Sequence, residues 1–286
     1  MCVMQTLVIL GNGFDLDLGW KTSFNDFYQT KKDKFSEYSG SSYIANMVEG
    51  EYWYNLEGYL RRCVLTVNRE NIEHLNMVWQ ICSIFLLDYF TNHRYIKNFV
   101  TKQDSCAFKF LREVKKSVVY TFNYTNPFKK ENVQEPEIHF VHGKVEGSFN
   151  GTQMKLGVDE AVMDINPLAN EDNLQPLIKC HENVEKDNLL CQLKVSDNIV
   201  FYGHSLSITD SDYFKRFFLN LINGKVKHKT LFFVVYNTKG LQQLKNNLKE
   251  YGVIFNELEL SDNIVNIVFT SKGQMDGAFK KLLDVI

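Results

Sequence analysis

Proline is scarce: 4 residues in a chain of 286, so no proline-rich linker divides the chain into separate units. Six cysteines are present but no two form a C-x-x-C pair, which removes the usual spacing of a structural zinc site. In a chain this long they read as reduced core thiols, and a cytoplasmic protein is expected. The apolar start, Met1 to Leu10, has no basic region before it and no small-residue cleavage site after it, so a signal peptide is not expected. No apolar run reaches membrane-spanning length. Trp79 to Phe90 comes nearest and carries Gln80 and Asp88, so no membrane partner is expected. Neither sign of charge dominates, with 32 basic and 34 acidic residues and a net charge of -2. That balance exerts no general pull on nucleic acid.

Hydrophobic residues make up 44% and charged residues 23%, ordinary globular proportions that argue against extended disorder. The spacing predicts strands at Thr6 to Leu10, Val118 to Phe122, Ile138 to Val141, Ile199 to Tyr202, Leu231 to Val235 and Ile264 to Phe269, with a weaker candidate at Met154 to Val158. Helices are predicted from Ser23, where Asp26 completes a capping box. Others are predicted over Trp53 to Val67, Ile72 to Phe90, Lys97 to Val114 and Leu177 to Leu193. Three more run from Asp210 to about Ile222, from Lys239 to Tyr251 and from Met275 to Asp284. Strand-then-helix alternation predicts one α/β domain over 1–286, a doubly wound, mainly parallel, Rossmann-like sheet. A helical insertion is expected at about 40–114.

Polar motifs begin where four of these strands end: LVIL before GNGFD, VVYTF before NYTNP, HFV before HG, and IVFY before GHSLS. Ligands of open α/β sheets bind outside the carboxyl ends of the strands, so the four together point to one nucleotide site. Gly11 and Gly13 can turn the chain tightly and bring N–H groups to a phosphate; alone, the loop reads as a plain strand-to-helix turn. The Asn123 carboxamide suits a ribose hydroxyl or a water, or else closes its own turn. His142 suits general-base work, or a structural role. His139, three residues earlier, points to the other strand face and argues against a metal pair, and no metal is expected. Gly203, His204, Ser205 and Asp210 suit phosphate or ribose, or a capped helix start. The aromatic residues Trp53, Trp79, Phe85 and Phe90 read as core. Glu57 among them suits a buried ion pair or a site role, and Lys31 to Lys34 a solvated helix face.

Taken in order, ILGNGFDLDLGWKTSFNDF, WYNLEGYL, VYTFNYTNPF, HFVHGKV, LGVDE and YGHSLSITDSDYF resemble the AbiH family of bacteriophage abortive-infection proteins over nearly the whole chain. More distantly, the series is similar to sirtuin-like NAD-binding domains. That second resemblance implies a sirtuin-like sheet with NAD as substrate or ligand. It implies Asn123 and His142 as catalytic residues. On that match Gly11 and Gly13 would line the pyrophosphate, and Gly203 and Ser205 would match the late adenosine-phosphate segment; Asn12, Asp15, Thr22, Tyr124, Gly143, His204 and Asp210 are expected beside them as further cofactor-binding residues. Asp15 stands where sirtuin-like proteins carry serine, and Thr125 where they carry aspartate. The sirtuin zinc cysteines are missing, which speaks against deacetylation and toward NAD cleavage to nicotinamide and ADP-ribose. The implied role is anti-phage defence, with a phage-derived trigger and a homo-oligomer as further partners. A non-catalytic nucleotide sensor acting through a partner stands beside it, as does an effector that cleaves nucleic acid, the class that the charge balance disfavours.

Overall fold

The computed structural model describes residues 5–38, 44–46, 55–97, 99–145, 154–179 and 184–286. Six strands form one sheet: β1 (Thr6–Leu10), β2 (Val118–Thr121), β3 (Glu137–Phe140), β4 (Asn198–Tyr202), β5 (Thr230–Val235) and β6 (Ile264–Phe269). Their order is β3-β2-β1-β4-β5-β6, and every neighbouring pair is parallel. The chain starts at the centre, runs outward to β3, and returns to lay β4 against the other side of β1. Strand order therefore reverses between β1 and β4.

Parallel strands need crossovers, and these place helices on both faces. β1 and β4 are buried along their whole length, which is why they read as unbroken apolar runs. Alternate side chains feed two cores. Val8, Leu10, Val200 and Tyr202 pack on one face with α1 (Asn12–Asp17), α2 (Phe24–Ser36), α3 (Leu56–Thr66), α4 (Ile72–Thr91) and α5 (Cys106–Glu113). Leu7, Ile9, Ile199 and Phe201 pack on the other with α6 (Val184–Val195), α7 (Ser211–Ile222), α8 (Thr238–Glu250) and α9 (Phe255–Leu260). A last helix, α10 (Gly277–Leu283), returns to the first face through Phe279 and Leu282. Between β1 and β2 the described chain is helix and connection without strand. Trp53, at the start of the expected third helix, lies outside the described residues.

α2 begins with the expected capping box: Ser23 Oγ accepts from the Asp26 N–H at 3.1 Å, and the Ser23 N–H donates to Asp26 Oδ2 at 3.3 Å. Elsewhere the structure corrects the reading. Met154 to Val158 is no strand; Val158 makes a lone parallel bridge to Ile178. The helix expected from Leu177 starts at Val184, because Ile178 and Lys179 are drawn out by that bridge. The helix expected from Lys97 starts at Cys106, capped by Ser105. Lys31 is not solvated. It is 1% exposed, pairs with Asp88 and lies over the Tyr95 ring. Among the cysteines, Cys63, Cys82 and Cys106 are buried free thiols, as expected, whereas Cys191 is exposed. Cys2 and Cys180 lie outside the described residues. Burial pushes the Cys82 thiol up to about 12, which makes it inert. No helix among the described residues is long and apolar enough to cross a membrane.

Candidate functional site

The turns after β1 and β4 face each other at the point where strand order reverses. The Gly11 N–H donates to Tyr202 O at 3.0 Å, the Gly13 N–H to Gly203 O at 2.9 Å, and the Phe14 N–H back to Gly11 O at 2.9 Å. A Cβ on Gly13 would lie 2.7 Å from Gly203 Cα, and one on Gly11 2.5 Å from His204 Cα. Gly203 has φ +63, and a Cβ there would lie 2.3 Å from Phe14 N. The glycines thus let two turns touch backbone to backbone. Their own N–H groups are engaged within the protein rather than offered to a phosphate.

α1 carries Asp15 inward, where it is 1% exposed. Asn123, just past β2, donates through Nδ2 to Asp15 Oδ1 at 3.0 Å and to Gly11 O at 3.1 Å. Thr125 donates to Asp15 Oδ2. Burial pushes the Asp15 carboxyl up to about 7; the bonds from Thr125 and Asn123 favour the charged form and offset burial only in part. No Lys, Arg or His among the described residues lies within ion-pair distance of it. Asn12, at the start of α1, accepts from Thr22 Oγ1 at 2.6 Å.

A second polar centre lies past β3 and β4. Lys179, fully buried, reaches Glu57 Oε2 at 2.6 Å and Asp210 Oδ1 at 2.9 Å. Thr209 Oγ1 donates to the same Glu57 oxygen at 3.3 Å. His142 Nε2 stands 3.4 Å from Asp210 Oδ1, within ion-pair range but not aligned as a hydrogen bond, so that buried nitrogen has no hydrogen-bond partner. His204 Nε2 is 3.7 Å from Asp210 Oδ2, and its Nδ1 accepts from the Leu206 N–H at 3.0 Å. With Nδ1 an acceptor, the proton of neutral His204 sits on Nε2 and faces Asp210. Burial lowers the His204 imidazole to about 4, so it is neutral at physiological pH. Asp210 is held far below the usual carboxylate range: burial opposes ionisation, but the Lys179 ammonium and His142 outweigh it. Asp210 occupies the position before α7, yet its side chain caps no N–H; it turns toward Lys179 instead. Phe122 packs against both imidazoles, with ring centroids 4.9 Å from His142 and 4.4 Å from His204.

Both centres line one cavity of about 650 Å³. Of the residues expected at the site, the cavity brings together Asn123 and His142 with Gly11, Asn12, Gly13, Asp15, Thr22, Tyr124, Gly203, His204, Ser205 and Asp210. Gly143 is outside this wall; it takes φ +76 as the chain turns after β3. Asn55, Gln243, Asn247 and Glu250 also line the cavity and carried no signal in sequence, since exposed helix faces are rich in such residues. Glu57 was legible as an acid among aromatic residues. Lys179 was not, because its stretch carries helical spacing. Phe24, Phe90, Phe122 and Tyr124 supply flat apolar surface. No Lys or Arg is among the described lining residues, whereas Asp15, Glu57, Asp210 and Glu250 are. The described residues hold no group of three or more His, Cys, Asp or Glu placed to hold a metal ion.

Residues 7–233 match the family model described as bacteriophage abortive infection AbiH. No curated protein matches the chain, and no solved structure does.

Proposed function

The chain belongs to the AbiH family of bacteriophage abortive-infection proteins, and from that premise we propose that its cavity takes NAD or a related nucleotide and hydrolyses the bond between ribose and a positively charged base. The observation that carries this reading is the pair of carboxyl centres, Asp15 and Asp210, on the wall of one cavity where strand order reverses. The order β3-β2-β1-β4-β5-β6 is that of Rossmann-like dinucleotide-binding sheets, whose ligands sit at this place. The cavity volume falls within the roughly 300–1,000 Å³ of small-molecule sites. Asn12 and Asn55 suit ribose hydroxyls and the aromatic rings suit a flat base, whereas the Asn247 carboxamide is taken up by Gln243 and Ser205 O.

Charge refines the reading. Lys179 offsets only one of the two charges on Glu57 and Asp210, and the negative charge left at that end of the cavity suits the cationic ring of NAD rather than its pyrophosphate. Cleavage of a ribosyl bond passes through an oxocarbenium-like cation, which nearby carboxylates stabilise. Asn123 acts here through Asp15, since its Nδ2 is engaged with Asp15 and Gly11. His142, beside ionised Asp210, favours an Nε2–H facing that carboxylate, which leaves Nδ1 as the lone-pair nitrogen.

A sensor without turnover is the second reading. It is favoured by the buried Glu57–Lys179–Asp210 chain, which ties α3, the 179 segment and the start of α7 to the cavity wall. A nucleic-acid effector would bring a polyanion to an acidic wall and is disfavoured. Nicotinamide release from NAD separates the readings, alongside melting with NAD and with ADP-ribose. A ligand that binds only the native state adds RT ln(1 + [L]/Kd), about 2.7 kcal/mol at a hundredfold excess over Kd. Both ligands are expected to raise the melting temperature, and Ser205→Trp, at the exposed part of the wall, to cancel the rise. Release is expected to be lost in His142→Ala and Asn123→Ala. Binding without release would leave the sensor; no binding would remove both nucleotide readings.

A further inference from the structure

We propose that Asp15 is the catalytic base of this cavity, taking a proton from the attacking water, and that Asn123 and Thr125 are positioning residues that hold its carboxylate. The inference rests on the hydrolase reading above and assigns the proton transfer within it. Asp15 is buried on the cavity wall. Each of its oxygens receives one hydrogen bond, from Asn123 and from Thr125. Each oxygen therefore keeps a lone pair for a water, and no cation pins the charge.

Asp210 is the opposite case. Its Oδ1 is taken by Lys179 and approached by His142, and its Oδ2 faces His204. A carboxylate fixed this way stays ionised and serves as a constant negative charge. Two acids whose surroundings drive their ionisation apart divide the labour of acid–base chemistry between them. Burial places Asp15 at about 7, where a base is both ionised in good part and strong enough to accept a proton. In the step, the bond from C1′ to the ring nitrogen breaks and its electron pair leaves with nicotinamide, which departs neutral. The water oxygen bonds to C1′, its proton passes to Asp15, and ADP-ribose results. A cationic base leaves without being protonated, so a base and no acid is what the chemistry needs.

Asp15 on α1 meets Asn123 and Thr125 from the segment after β2. The titratable groups sharing the wall are Glu57 from α3, Tyr124 after β2, His142 after β3, His204 and Asp210 after β4, and Glu250 from α8; Lys179 is engaged with Glu57 and Asp210. Burial and the two hydrogen bonds, not these charges, set the Asp15 ionisation.

The test measures nicotinamide release against pH with purified protein and in phage-challenged cells. In the wild type kcat is expected to rise with pH through about 7. Asp15→Asn is expected to lose about 10²–10⁴-fold in kcat while ADP-ribose binding stays within a few-fold. Thr125→Val removes a bond that favours the charged form, so the rise moves to higher pH. Full activity in Asp15→Asn, or a wild-type profile that is flat or falls through this range, would overturn the assignment while the hydrolase reading stands. Should Asp15→Asn fail to fold, the Thr125→Val profile decides, and an unshifted rise overturns the assignment. If the wild type releases no nicotinamide in either setting, the hydrolase reading fails and the assignment with it.

Discussion

Asp15 is held in the fold at a cost that depends on pH. Its carboxyl titrates near 7 when folded, against 3.8 as the ordinary value. Between those values the folded chain binds the extra proton, so this group's contribution to stability falls as pH rises from about 4 to 7. Three units correspond to on the order of 4 kcal/mol. Asn at this position carries no charge, so Asp15→Asn is expected to be as stable as wild type near pH 4, with a gain that grows up to about pH 7 and levels off above it. Urea unfolding at pH 4 and at pH 8 checks this, and equal midpoints at pH 8 would contradict it. His204 acts the other way. Its imidazole, about 4 when folded, makes stability fall as pH drops from about 6.5 to 4, so the wild-type profile alone would mask either group. Lys179 raises a different matter, for its partners Glu57 and Asp210 sit in a site where lone charges are poorly solvated. Lys179→Met is expected to destabilise by about 3–5 kcal/mol, the range seen when one partner of a buried pair is removed.

At the scale of elements, the β1 and β4 turns depend on contact that side chains would forbid. Gly203 and Gly224 have nearly the same φ, +63 and +66, but a Cβ on Gly224 would meet nothing within 4 Å. Gly224→Ala is therefore expected to cost about 1–2 kcal/mol, the left-handed penalty alone. Gly203→Ala adds a backbone clash with Phe14 N and Gly13 and is expected to cost roughly 1–3 kcal/mol more, with loss of nucleotide binding. Paired denaturation curves decide this; equal losses would mean that the two turns can separate freely. The same contact explains a limit of the sequence reading. G-x-G after a strand was legible, but its partner lay 190 residues downstream, and nothing local tells whether a glycine clears a phosphate or another turn. Lys179 was illegible for a similar reason. Helical spacing predicts Leu177 to Leu193 as one helix, yet the bridge from Val158 to Ile178 straightens its first residues and turns the lysine inward.

For the whole molecule, a site assembled from the turns after β1 to β4 and from α3 should be ordered only in the native state. Ligand binding is then expected to raise the global unfolding midpoint rather than to stabilise one segment, as hydrogen exchange across β1 and β4 can test. Protection confined to one loop would contradict a shared site. The sequence by itself determined the kinds of elements and most of their places, because apolar runs closed by glycine or asparagine are local signals of buried parallel strands. It also determined that polar motifs stand at four strand ends; that they surround one cavity is a property of the structure. The tertiary structure alone decided which groups meet: Asn123 with Asp15, Lys179 with Glu57 and Asp210, Gly13 with Gly203. It alone made one carboxyl hold its proton near neutrality and another stay ionised. Those outcomes depend on burial and on charges a few ångströms away in space, and residues that are distant along the chain supply both.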